Sequence, residues 1–225
     1  MSRSPSMRPV SFPVTHELSG WELFWARLEA LPGQEEALAA LRRQAGERAR
    51  AEWSLETLSA DSTVAAVRSL FRAAGCDPTR YRPSSEALLR RLLKGEELPA
   101  IHPFVDLNNC LSVALAVPTC VAAEGSFAPP VVLRAGRPGE SYESLRGPFN
   151  LEGKPLLADG GGAFGTPITD SQRVKVTGDT RRAWMVAYLP AGVVTAEAAE
   201  KLLQDLLAAA PVARVEEAGA SGGGR

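Results

Sequence analysis

The sequence predicts an α+β fold, and three observations carry that expectation. Helical patterns fill residues 18–95, short strand patterns follow from Pro129, and one amphipathic helix comes after them. Helices first and strands afterwards argue for stacked layers and against an alternating, doubly wound sheet. The 225 residues suffice to bury a sizeable core, and 45% hydrophobic with 23% charged residues is ordinary globular composition. We expect a loosely ordered segment over residues 1–17, a single domain over 18–217 with a helical first part, and a flexible Gly/Ser tail over 218–225.

The elements follow in order. The start, "MSRSPSMRPVSFPV", is rich in Pro, Ser and Arg, with room for a short strand near Val10–Val14. "GWELFWARLEAL" sets Trp21, Phe24, Trp25 and Leu28 at helical spacing, a core-facing stripe. "DSTVAAVRSLFRAAG" runs as a helix from a Ser/Thr N-cap to a stop at Gly75. "PSSEALLRRLLKG" repeats the design, with Ser84 as N-cap, Glu86 in the first turn, Lys94 in the last and Gly95 beyond it. In "LPAIHPFVDLNNCLSVALAVPT", Asp106 is placed to cap the helix "LNNCLSVALAV", which Pro118 ends. Capping explains Asp106, accounts in part for Asn109 as a bridge between loops, and hardly explains Asn108. "PPVVLRAG", "KPLLAD", "QRVKVT" and "RAWMVAYLP" read as strands, and "TAEAAEKLLQDLLAAA" as a helix capped by Thr195.

Composition narrows the function. A net charge of −1 and a pI of about 6.2 leave no global basic field for nucleic acid or anionic lipid, although local arginines remain. Cys76, Cys110 and Cys120 are odd in number and lack C-x-x-C spacing, so free thiols in a reducing compartment are expected. His16 and His102 lie far apart, so neither a metal site nor another cofactor is expected. With no apolar leader and no run of membrane-spanning length, a cytoplasmic protein is expected.

The candidate sites are local. "DGGGAFGTPITD" matches G-x-G-x-x-G at Gly160, Gly162 and Gly165, yet Pro167 and β-branched residues follow where a dinucleotide site needs a helix. The run is either a turn between strands or a loop that a ligand approaches closely. His102 suits a general base or a packed side chain equally, and no G-x-S-x-G elbow supports a serine hydrolase. Arg80, Arg82, Arg90, Arg91 and Lys94 form either a solvated helix face or a phosphate-contacting edge.

Together, "RPSSEALLRRLLKG", "LPAIHPFVDLNNCLSV" and "LLADGGGAFGTPITDSQRVKVT" resemble the B3/B4 domain of the bacterial phenylalanyl-tRNA synthetase β subunit. They are still more similar to stand-alone B3/B4 proteins, over roughly Thr63 to Leu189. The resemblance implies an α+β fold with a central mixed or antiparallel sheet flanked by helices. In the synthetase this domain hydrolyses tyrosine wrongly esterified to phenylalanine tRNA. A free-standing copy would then be a trans-acting aminoacyl-tRNA deacylase that touches the tRNA acceptor end, without DNA, membrane or cofactor. The alternative is a non-catalytic module that binds a free amino acid or small metabolite in the same pocket; a protein-interaction scaffold is a third reading. Carried over by position, His102, Asn109 and Asp159 are the catalytic candidates. Arg82, Ser84, Asp106, Asn108, Gly160, Gly161 and Gly162 are the substrate-binding ones. Where the synthetase has an "LHAFD"-like stretch this chain has "VPTCVAAEG", so tyrosine specificity is not carried over.

Overall fold

The computed structural model describes residues 12–222. In chain order these form β1 (Val14–His16), β2 (Trp21–Ala30), α1 (Glu35–Glu52), α2 (Ser62–Ala73), α3 (Ser84–Leu93) and α4 (Pro103–Leu115). There follow β3 (Thr119–Ala123), β4 (Val131–Ala135), β5 (Ser141–Ser144), β6 (Gly147–Asn150), β7 (Pro155–Asp159) and β8 (Gly162–Gly165). The chain continues through β9 (Arg182–Pro190), α5 (Ala196–Ala209) and β10 (Ala213–Gly222). Strands β10-β2-β9-β3 make an antiparallel sheet. Strands β1-β4-β7-β8 make a mixed one, parallel only between β1 and β4, and β5-β6 is a separate hairpin. Helix α4 packs on α1, α3, α5 and β3, so the helices cover the antiparallel sheet. The α+β expectation holds.

The largest correction is β2. "WELFWARLEA" is a central strand, not a helix: it pairs with β10 on one side and β9 on the other. Leu23, Phe24, Trp25 and Ala26 are all buried in succession, because both faces of this strand are covered. A doubly covered strand shows a continuous apolar run, and such a run also satisfies helical spacing. Its polar residues join ion pairs across the sheet instead, Arg27 with Glu124 and Glu216, and Glu29 with Arg182 and Arg214.

Other expectations shift by a residue or more. Helix α2 is capped by Asp61, whose carboxylate accepts from the N–H groups of Thr63 and Val64 at 2.9 and 3.0 Å, not by Ser or Thr. The α3 cap is Pro83, and Ser84 is the first helical residue, its N–H donating to the Pro167 carbonyl at 2.9 Å. "QRVKVT" forms a single 3-10 turn, Gln172–Val174, in place of a strand; Val174 and Val176 are buried without a ladder partner. The tail expected over 218–225 is ordered through Gly222 as the end of β10, zipped against Glu22–Ala26 of β2. Residues 14–16 of the expected loose start pair with β4, while Val10 and residues 223–225 lie outside the described residues. As expected, Thr195 caps α5, accepting from Ala198 N–H at 3.2 Å.

Candidate functional site

Helix α4 begins earlier than expected. His102 is its N-cap, with Nδ1 accepting from the Phe104 N–H at 3.2 Å, and Pro103 opens the first turn. Asp106, inside that turn, reaches back to accept from the N–H groups of Ile101 (2.9 Å) and His102 (3.3 Å), the logic of a capping box. Its other oxygen pairs with Arg42 of α1, which ties the two helices together beneath the surface. At the far end Ala116 takes a left-handed conformation, φ 54°, and Pro118 lies two residues beyond. Asn108 is stapled to β3: its Nδ2 donates to the Thr119 carbonyl at 3.5 Å, and the Thr119 hydroxyl donates to the Asn108 carbonyl at 3.0 Å.

Facing Asn108 and Asn109 is the loop Thr166–Ser171. The Thr166 hydroxyl accepts from the N–H groups of Ile168 and Thr169, which folds the loop on itself. Tyr142 of β5 donates to the Thr169 carbonyl at 2.6 Å, and the Leu145 N–H to the Asp170 carbonyl at 3.1 Å, so the β5-β6 hairpin clamps it in place. Between helix, loop and hairpin lies a chamber of about 240 Å³. Its polar lining includes Ser84, Asn108, Asn109, Thr119, Asp170 and Lys175, and apolar side chains such as Val105, Val121 and Ile168 supply much of the rest.

Three polar atoms in this lining are buried without a hydrogen-bond partner among the described residues: Ser84 Oγ, Asn108 Oδ1 and Asp170 Oδ1. Such atoms are rare in folded proteins, and these three line one chamber, where water or a polar guest can meet them. Burial pushes the Asp170 carboxyl up to about 8, partly opposed by a hydrogen bond with the Thr166 backbone. The residue keeps some exposure at the chamber while its Oδ1 is sunk out of solvent. Burial therefore favours the protonated acid near neutral pH, a form that donates a hydrogen bond as well as accepting one.

The chamber opens past Ser84, Asn109, Arg146 and Ile168 into a groove of about 410 Å³ lined by Arg80, Arg82 and Arg91. The expected substrate-binding residues Arg82, Ser84 and Asn108 thus meet the catalytic candidate Asn109 at one two-part cleft. Asn109 is partly exposed there and makes no side-chain hydrogen bond with the described residues.

The remaining candidates lie elsewhere. The Gly-rich turn does not wall this cleft; the wall comes from the Ile168–Asp170 stretch that follows it. Asp159 sits in the β7-β8 turn, accepting from Ala128 N–H and Gly161 N–H at 2.9 Å each and from Arg173 at 2.8 Å. Burial would raise its carboxyl, but those N–H groups and the Arg173 guanidinium together hold it below the usual range. Gly160, Gly161 and Gly162 belong to the same turn, where Gly162 has φ +106° and a side chain on Gly161 would strike Arg173. His102 and Asp106 border a separate cavity of about 280 Å³ beside Arg42. Burial lowers the His102 pKa, with Asp106 and the Thr177 backbone opposing. His102, Asp106, Asp159 and the three glycines are therefore not brought to Asn109 as the sequence suggested.

Asp170, Thr119, Arg146 and Lys175 were missed. The sequence signal for Asp170 is its position at the end of "DGGGAFGTPITD", beyond the glycines. Removing Asp106 tests the structural role that its bonds describe. Asp106→Ala is expected to lower unfolding stability by about 3 kcal/mol, since it leaves Arg42 unpaired and two N–H groups unsatisfied. Urea denaturation measures this directly.

Among the described residues, no group of three or more His, Cys, Asp or Glu is placed to hold a metal ion, and no helix is long and apolar enough to cross a membrane. The three cysteines are buried and unpaired, and burial pushes the thiols of Cys76 and Cys110 up to about 11 and 12, where they are unreactive.

An α+β domain with a largely apolar chamber, set with a few polar groups, behind an arginine-lined groove is the class that fold and site define. The chain belongs to the B3/4 domain family, whose model matches residues 66–210, as the resemblance read from its motifs implied. No curated protein matches the chain. Among solved structures it is similar to an N-terminal fragment of the phenylalanyl-tRNA synthetase β-subunit from Pyrococcus horikoshii, at 15% identity and a TM-score of 0.46. That alignment covers 95% of this chain and 51% of the fragment, so the chain spans about half the fragment's length.

Proposed function

We propose that the protein hydrolyses the ester bond of a mischarged aminoacyl-tRNA, with the amino acid held in the inner chamber. The observation that carries this reading is the two-part cleft itself. An inner space of about 240 Å³ suits one amino acid, and its outer groove of arginines suits the phosphates next to the ester.

An aminoacyl ester is already activated, so the site needs no strong nucleophile. The chamber grips the amino acid, and Asn109 at the junction of the two spaces orients a water toward the ester carbonyl. As the water adds, charge gathers on the carbonyl oxygen; the C–O bond to the ribose then breaks and the ribose oxygen leaves with a proton. The neighbouring ribose hydroxyl of the substrate assists that proton transfer. Polar groups in the chamber also suit discrimination, because a buried donor or acceptor left unmatched rejects a wrong side chain by ~10⁴-fold, against ~10–200-fold for one methylene.

Deacylation measured across a panel of mischarged tRNAs is the test. Release of amino acid from at least one noncognate pair is expected, and Asn109→Ala should slow it about tenfold or more with an unchanged melting temperature, since this side chain makes no hydrogen bond with the described residues. If every pair stays intact at micromolar protein, the reading fails. One observation favours a second reading, a non-catalytic binder of free amino acids: Ser84 Oγ, Asn108 Oδ1 and Asp170 Oδ1, unpaired among the described residues, would meet an amino acid's polar groups whether or not it carries an ester. A large thermal shift with a free amino acid, without ester hydrolysis, would select it.

A further inference from the structure

We propose that His102 positions one wall of the chamber, and does so only while its imidazole is uncharged, so that acid releases the wall. This deepens the deacylase reading and rests on it for what acid shuts off, but a separate set of bonds carries it.

The ring joins two parts of the chamber lining. Ile101 and Val105, on either side of His102 in sequence, line the chamber from the start of α4. Lys175 and Val176 line it from another segment, and Thr177, the next residue, meets the ring through its backbone. His102 and Ile101 also border the second cavity, of about 280 Å³, so a released wall has space to move into.

The start of α4 is held at His102 by its Nδ1, which accepts from the Phe104 N–H at 3.2 Å, and by its backbone. The His102 carbonyl accepts from Asp106 N–H at 2.8 Å, and its N–H donates to the Asp106 carboxylate at 3.3 Å. Only the first of these depends on protonation. A neutral imidazole keeps one bare nitrogen that accepts, whereas an imidazolium carries N–H on both. Protonation therefore sets donor against donor and places a cation at the positive end of a 13-residue helix. Phe104 is fully buried, so its N–H has no water to replace the lost acceptor.

The charges on the elements around the ring are Asp106 on its own helix, Glu35 and Arg42 of α1, and Lys175 and Asp179 beside Thr177. Burial is the largest influence and keeps the ring neutral below its ordinary 6.5; Asp106, itself engaged by Arg42, and the Thr177 backbone oppose it. The wall is thus held above pH 6.5 and released as pH falls through the lowered folded value.

Nuclear magnetic resonance of isotope-labelled protein from pH 7.5 to 5 tests this with no substrate present. At pH 7.5, proton–nitrogen correlations of the His102 ring are expected to show Nδ1 without a proton. On acidification the amide signals of Ile101, Phe104, Val105 and Val176 should shift at one midpoint, that of the ring, below 6.5. Over the same range the Phe104 N–H should lose about tenfold or more in exchange protection. His102→Asn, whose side chain caps helices without titrating, should hold these signals constant. His16, the other histidine, remains in that variant as an internal control. A proton on Nδ1 at pH 7.5 overturns the inference, as do chamber amides that ignore the ring's midpoint or titrate unchanged in His102→Asn. Deacylation is measured separately. A rate that falls in acid for wild type but not for His102→Asn upholds the control of catalysis, and an equal fall in both overturns it. Absence of deacylation removes the enzyme and leaves the spectral result standing.

Discussion

Asp170→Asn is expected to stabilise the protein at pH 8 by a few kcal/mol while leaving it unchanged near pH 4. The reason is proton linkage. In the unfolded chain this carboxyl ionises near its ordinary value of 3.8; in the folded protein burial holds the proton on until about pH 8. Between these values the unfolded state releases a proton that the folded state retains, so wild-type stability falls as pH rises through the window and levels off above it. Each tenfold difference in proton affinity between the two states is worth about 1.4 kcal/mol, and the partial exposure of the residue reduces the full effect to a few. Asparagine mimics the neutral acid in shape and has no proton to lose. Urea unfolding at pH 5 and pH 8 reads the difference. Identical pH slopes for both proteins would show that Asp170 ionises normally and that the chamber is wetter than its geometry indicates.

Gly136→Ala is expected to cost about 3 kcal/mol or to abolish folding. A Cβ here would lie 1.8 Å from the Leu151 carbonyl oxygen, an approach no side chain survives. The contact is made by backbone on both sides, so nothing can rotate away. Gly136 N–H donates to the Lys154 carbonyl at 2.8 Å and its own carbonyl accepts from Gly153 N–H at 2.9 Å, which sets β4 against the chain leaving β6. Moving Leu151 also moves the β5-β6 hairpin that clamps the Thr166–Ser171 loop. The comparison is Gly160→Ala, where a Cβ meets nothing within 4 Å and φ is not left-handed; its stability should stay within about 0.5 kcal/mol of wild type. Parallel urea titrations distinguish the two glycines, and a tolerated Gly136→Ala would refute the close approach.

Legibility in the sequence followed the range of the interaction. Helices α2, α3 and α5 were readable because caps and apolar spacing act within a few residues; the α2 and α3 caps moved by a single position, as Asp61 for Ser62, whereas that of α4 moved by four, from Asp106 to His102. β2 was misread because burial on both faces is a property of its neighbours β9 and β10, not of its own ten residues. "AGASGGGR" looked like a tail for the same reason. Its small residues pack because Trp25 lies over Gly219, where a Cβ would sit 2.7 Å from the ring. At the site, Asn108 was visible as a residue that capping hardly explained and Asn109 as one it explained in part, whereas Ser84 and Arg82 became candidates through the family resemblance.

By itself the sequence determined the layer architecture, the family, and the polar cluster on α4, since each is written in contiguous motifs and local hydrogen bonding. Only the tertiary structure decided which of those residues face one another. His102 and Asp106 turn to their own helix end and Arg42, Asp159 turns to Arg173, and Asp170 is brought some sixty positions across the chain to Asn108. The choice is physical: a charged group that finds a partner is held by it, whereas Ser84 Oγ, Asn108 Oδ1 and Asp170 Oδ1 fold without one and meet at the chamber.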